Sequence, residues 1–147
     1  MSALSGLISR RQELADAEAT HALGQELSKF LRDGGLMFLH GDLGAGKTTL
    51  VRGILEGLGW QGPVRSPSYA LVHSYPLSPL VHHLDLYRMG SFDEALSLDL
   101  DALFAPGCVS LVEWPEVLGT HFAPDIRVEM GIDDAGLGRI ATISCVS

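Results

Sequence analysis

Gly41-Asp42-Leu43-Gly44-Ala45-Gly46-Lys47-Thr48 is a stretch whose residue types and spacing together specify a chemistry. Its three glycines allow backbone angles that a side chain would forbid, so successive N–H groups can turn inward around phosphate oxygens. A helix starting near Lys47 adds its positive dipole end. Lys47 is spaced to reach the β- and γ-phosphates as a point charge, and the Thr48 hydroxyl to ligate Mg²⁺. The octet reads as a loop that holds the phosphates of a nucleoside triphosphate with Mg²⁺ as cofactor, with Asp42 and Ala45 as filler side chains.

A nucleotide site also needs a sensor of the γ-phosphate and groups that handle the metal and the attacking water. Ser66-Pro67-Ser68-Tyr69 follows the loop's helix, where switch segments supply a hydroxyl. Two readings stand at Ser68: a γ-phosphate or metal contact, or part of an ordinary Ser-Pro turn. Asp85 and Glu113 each end an apolar run, and ligands of open α/β sheets lie beyond the carboxyl ends of the strands. An acid ending a strand is more often a solvated loop residue or a helix cap. Trp114 is a stacking or partner-facing residue or a partly buried aromatic. His82 and His83 adjoin Asp85, but neighbouring strand residues point to opposite faces, so they cannot both join one site and read as structural. No Asn-Lys-x-Asp segment for selecting guanine is present, which weighs against a GTPase.

The elements around these residues follow from apolar spacing. Leu23, Leu27, Phe30 and Leu31 predict an amphipathic helix over Thr20–Leu31, capped upstream by Asp16 and stopped by Gly34-Gly35. Leu36–Leu39 predicts a buried parallel strand leading into the glycine loop. Leu50, Ile54, Leu55 and Leu58 predict a helix after it, over Thr49–Leu58. Strand, glycine loop and helix are the context the motif requires. Ala70–Tyr75 and Leu80–Asp85 read as two strands with a short connection. Ser91, three residues before Glu94, opens a capping box for one helix to Phe104, with Leu96, Leu100 and Leu103 on one face. Val109–Val112 is a further buried strand, and Ile126–Met130 with Arg139–Ile143 a closing hairpin.

The chain has 147 residues, 46% hydrophobic and 19% charged, enough apolar content for one self-sufficient core. A single domain over 1–147 is expected, with residues 1–12 set apart as a flexible N-terminus. No apolar run approaches the roughly 20 residues of a membrane span, and Glu13, Asp16 and Glu18 after Arg10-Arg11 leave no signal-peptide core. A cytoplasmic protein without membrane contact is expected. Cys108 and Cys145 read as buried reduced thiols. A net charge of −8 disfavours unaided binding to a phosphate backbone, so any nucleic acid is met through a partner.

Four blocks agree in order with one family: Gly41 through Thr49, Val64-Arg65-Ser66-Pro67-Ser68-Tyr69-Ala70-Leu71-Val72, His83-Leu84-Asp85-Leu86-Tyr87-Arg88, and Leu111-Val112-Glu113-Trp114-Pro115-Glu116. With a weaker match at Ala19–Gly24, the chain resembles the TsaE (formerly YjeE) family from about Asp16 to Arg139. These are small bacterial P-loop ATPases of tRNA threonylcarbamoyladenosine synthesis. The resemblance implies a P-loop NTPase-like three-layer α/β fold with a partly mixed sheet flanked by helices. It implies slow ATP hydrolysis, and work with TsaB and TsaD partner proteins that meet the tRNA. It also implies Thr48 and Glu113 as Mg²⁺ ligands, and Lys47, Asp85 and Glu113 as catalytic residues. The nucleotide-binding set it implies is Asp42, Leu43, Gly44, Ala45, Gly46, Lys47, Thr48, Thr49 and Ser68, with Ala17 and Arg139 toward the base. Two positions depart from the family pattern: Ser68 stands where Thr is usual, and Asp99 lies where Gly is frequent. A small-molecule kinase is the rival enzyme, but the Arg-rich lid it needs is missing. A nucleotide-gated binding module that does not hydrolyse is the other rival.

Overall fold

The computed structural model describes residues 3–42, 44–64, 71–132, 136 and 138–145. Seven strands form one sheet in the order β1-β7-β6-β2-β5-β4-β3. They are β1 Arg10–Leu14, β2 Gly35–His40, β3 Val72–Tyr75, β4 Val81–Asp85, β5 Val109–Glu113, β6 Ile126–Ile132 and β7 Arg139–Cys145. The centre, β6-β2-β5-β4, is parallel, while β3, β7 and β1 pair antiparallel at the flanks. The fold is a P-loop NTPase-like three-layer α/β fold with a partly mixed sheet.

The central strands are short apolar runs because both their faces are covered. Met37 and Leu39 of β2 and Leu111 of β5 join one core with α1 (Ala17–Ser28) and α2 (Lys47–Gly57). Phe38 and Val112, one residue out of phase, join a second core on the opposite face. That face carries α3 (Phe92–Ala95), α4 (Leu100–Leu103) and a 3₁₀ turn, Pro115–Leu118.

Asp16 caps α1, its carboxylate accepting from the Ala19 N–H at 2.8 Å. The α-helix starts at Ala17 and ends at Ser28, earlier at both ends than the apolar spacing predicts; Phe30 and Leu31 continue it only as tighter turns. The single helix expected over Ser91–Phe104 is broken. Ser91 caps α3 as the capping box implies, but a 3₁₀ turn, Leu96–Leu98, follows, and Asp99 takes a left-handed φ of 55° before α4. Glycine adopts that conformation without the Cβ clash that Asp99 meets.

Arg10–Leu14, which begins inside the segment set apart as the N-terminus, pairs with β7 as an edge strand that the apolar spacing does not predict. Its residues, Arg-Arg-Gln-Glu-Leu, bury only Leu14, so no apolar alternation marks them. Edge strands are commonly charged in this way. Both cysteines are free and half-buried rather than buried; the Cys145 thiol donates to the Leu7 carbonyl at 3.1 Å. Among the described residues no helix is long and apolar enough to cross a membrane.

Candidate functional site

β2 ends at His40, and the chain turns through the glycine loop directly into α2 at Lys47. Gly41 has φ 149°, and a Cβ there would lie 2.7 Å from the Met130 carbonyl oxygen of β6. Gly46 is the N-cap of α2, with φ 100° and no side chain bonding to the helix's first N–H groups. Those donors stay with the loop, as a bound anion requires. Ala45 turns its methyl into the core, and Asp42 is exposed. Leu43 lies outside the described residues.

The sheet register brings the two acids to this loop. Glu113, the last residue of β5, stands opposite Leu39 of β2 on one side and Asp85 of β4 on the other. The carboxyl ends of three parallel strands thus meet beneath the first turn of α2. A cavity of about 320 Å³ there is lined by Gly44, Gly46, Lys47, Thr48, Thr49, Asp85, Glu113 and Trp114. A second, of about 290 Å³, shares Gly44, Gly46 and Thr49 with it and extends along Asp16, Ala17, Thr20 and Arg139. Arg139 donates to the Gly44 carbonyl at 3.1 Å, tying the start of β7 to the loop. Ser68 lies outside the described residues, as does all of 65–70. A third cavity, about 220 Å³ beside Gly34, Cys108 and Asp125, holds none of the expected site residues.

Lys47 is 4% exposed. Its ammonium donates to the Gly41 carbonyl at 2.5 Å, lies 3.9 Å from the Trp114 ring centroid and 3.9 Å from Glu113 Oε1. Burial lowers its pKa, and the nearby carboxylates, Glu113 and Asp85 foremost, work against that shift. Asp85 is shifted upward, chiefly by burial; the Tyr87 N–H, bonded to its Oδ1 at 3.0 Å, opposes the shift and the Glu113 charge adds to it. Trp114 is half-buried with φ 56°, a strained conformation for a bulky residue, and its ring packs on Tyr87 at a centroid distance of 4.9 Å. The same indole lies against Lys47.

Two histidines belong to this region in ways the sequence reading did not assign. His83 Nε2 lies 2.6 Å from Glu113 Oε2, a contact with one of the two acids that its reading as a structural residue did not include. His82 points to the other face and meets the Ser74 hydroxyl at 2.8 Å, as the alternation requires. The same alternation places His83, two residues before Asp85, on the acid's face, and this was the signal available. His40 bridges Arg127 at 2.6 Å and Glu116 at 2.8 Å, linking the root of the loop to the residues after Trp114. No sequence pattern foretells a bridge between positions so far apart.

The family model "Threonylcarbamoyl adenosine biosynthesis protein TsaE" matches residues 14–140. The chain is similar to the tRNA threonylcarbamoyladenosine biosynthesis protein TsaE of Streptomyces coelicolor, 43% identical over 117 residues, covering 77% of this chain and 78% of that protein. It is also similar to the protein so named from Haemophilus influenzae, 40% identical over 99 residues, covering 67% of this chain and 62% of that protein's length. Among solved structures it is similar to Bacillus subtilis YdiB, with a TM-score of 0.69 and 28% identity, covering 97% of this chain and 90% of that one.

Proposed function

The chain belongs to the TsaE family of threonylcarbamoyl adenosine biosynthesis proteins, and from that premise we propose that it is a Mg²⁺-dependent ATPase serving threonylcarbamoyladenosine formation on tRNA. The observation that carries the ATPase reading is the meeting of Lys47, Thr48, Asp85 and Glu113 around one cavity at the carboxyl ends of β2, β4 and β5. The triphosphate lies along the loop, and the base extends into the second cavity against Ala17 and Arg139.

The donor set fits a hard cation: a hydroxyl at Thr48 and a carboxylate at Glu113, both oxygen. Among the described residues no group of three or more His, Cys, Asp or Glu is set for a metal, so phosphate oxygens and water complete the shell. Mg²⁺, when bound, neutralises charge on the phosphate oxygens. Lys47 leaves the Gly41 carbonyl for the β- and γ-phosphates. Asp85, made more basic by burial, takes a hydrogen bond from the attacking water. The new bond forms between water oxygen and γ-phosphorus as the bond from γ-phosphorus to the bridging oxygen breaks, releasing ADP and inorganic phosphate. Ser68 supplies a hydroxyl to the γ-phosphate on the strength of the family resemblance.

The protein works in the cytoplasm with TsaB and TsaD. Its own charge of −8 suits a subunit that leaves tRNA contact to those partners. Turnover is slow without them, and hydrolysis resets the complex. Calorimetry of ATP with Mg²⁺ against wild type and Lys47→Ala tests the site. Loss of one charge-assisted contact should weaken binding by about 10- to 100-fold and stop turnover in the reconstituted complex. Wild type that binds no ATP, or unchanged turnover in the variant, overturns the reading.

A further inference from the structure

His83 has no solvent exposure. Its Nε2 is 2.6 Å from Glu113 Oε2, while Nδ1 is buried with no hydrogen-bond partner among the described residues. An ionised carboxylate only accepts, so a ring proton in this contact stands on Nε2. An unpaired ring nitrogen in a core is a cost that an apolar side chain of similar size avoids. What the imidazole supplies in return is its hold on Glu113.

That hold matters because Glu113 and Lys47 are opposite charges, 5% and 4% exposed, with little water to screen them. Left free, they would close to a contact ion pair, which would occupy both the lysine intended for phosphate and the carboxylate intended for metal. They stand 3.9 Å apart instead. Each has a closer partner: Lys47 donates to the Gly41 carbonyl at 2.5 Å, and Glu113 Oε2 meets His83 Nε2 at 2.6 Å. Oε1 is the oxygen His83 does not hold, and Glu113 lines the same cavity as Thr48 and Asp85.

We propose that His83 is a positioning residue whose Nε2–H fixes the Glu113 carboxylate, keeping Oε1 off Lys47 and available to the nucleotide's divalent cation. The inference rests on the ATPase reading above. Partners of this kind behind a ligating group are generally needed for it to hold its geometry.

The probe is Mn²⁺, titrated by electron paramagnetic resonance into protein saturated with ADP, for wild type, His83→Leu and His83→Gln. Leucine keeps the bulk and loses the donor; glutamine places an amide N–H near the Nε2 position. His83→Leu is expected to weaken Mn²⁺ binding about tenfold or more, and His83→Gln to stay within about threefold of wild type. Long-range ¹H–¹⁵N spectra of wild type should show the Nε2–H tautomer, which needs no variant to fold. If His83→Leu binds Mn²⁺ like wild type, if folded His83→Gln is as weak as the leucine variant, or if the proton is on Nδ1, the inference is wrong. Wild type that takes up no Mn²⁺ with ADP overturns the ATPase reading and this inference together, whereas the other results overturn His83's role alone.

Discussion

Lys47 holds three contacts, to the Gly41 carbonyl, the Trp114 ring and, more loosely, Glu113. A phosphate entering the loop therefore competes with protein groups for an ammonium that burial has already stripped of water, which strengthens whichever partner wins. Asp85 is the residue at which function and stability oppose each other. Its pKa is raised in the fold, chiefly by burial, so the folded chain binds that proton more tightly than the unfolded chain does. The associated stability is present below the ordinary carboxyl value of 3.8 and is lost as pH rises through the raised folded value. Asp85→Asn keeps an acceptor for the Tyr87 N–H and removes the charge. In thermal melts it should match wild type near pH 3.5 and exceed it at pH 7.5, by about 1 kcal/mol or less given partial exposure, while ATP turnover is lost. A variant less stable than wild type at pH 7.5 would contradict this account.

The helix pair α1 and α2 is held at a distance that only glycine permits. A Cβ on Gly53 would lie 2.2 Å from the His21 carbonyl oxygen, and one on Gly24 would lie 2.4 Å from the Leu50 oxygen. Both obstacles are backbone, which cannot swing aside. Gly53→Ala should therefore cost about 3 kcal/mol, lowering Tm by roughly 6–12 °C at this chain length. ATP affinity should fall with it, because α2 carries Lys47 and Thr48 at its first turn. Gly131→Ala, where a Cβ meets nothing within 4 Å, is the control expected to melt like wild type. An equal loss in both variants would remove close helix approach as the cause. The glycines of the loop were legible because their spacing is a motif. Gly24 and Gly53 were not, since a glycine inside a helix looks like a weak point until the partner backbone lies against it.

At the scale of the whole molecule, the strand order turns separate short segments into one site. β2, β4 and β5 lie side by side in parallel, so the loop, Asp85 and Glu113 share one end of the sheet although the helices of the second face intervene between the two acids in the chain. The net charge of −8 belongs to this scale too. In a gel-shift assay at about 0.15 M salt and 10 µM protein, the chain alone is expected not to retain tRNA; tight retention would place tRNA contact on this chain rather than on its partners. The glycine-rich octet, the strand before it, the helix after it and the acids ending two apolar runs were all determined by sequence, because each depends on local spacing and backbone freedom. The tertiary structure alone decided that β1 forms an edge from polar residues and that the helix after Ser91 breaks at Asp99. It alone joined His83 to Glu113, and Lys47 to Trp114. Those contacts are between residues far apart in the chain, and their energy comes from burial and register, which exist only once the sheet has assembled.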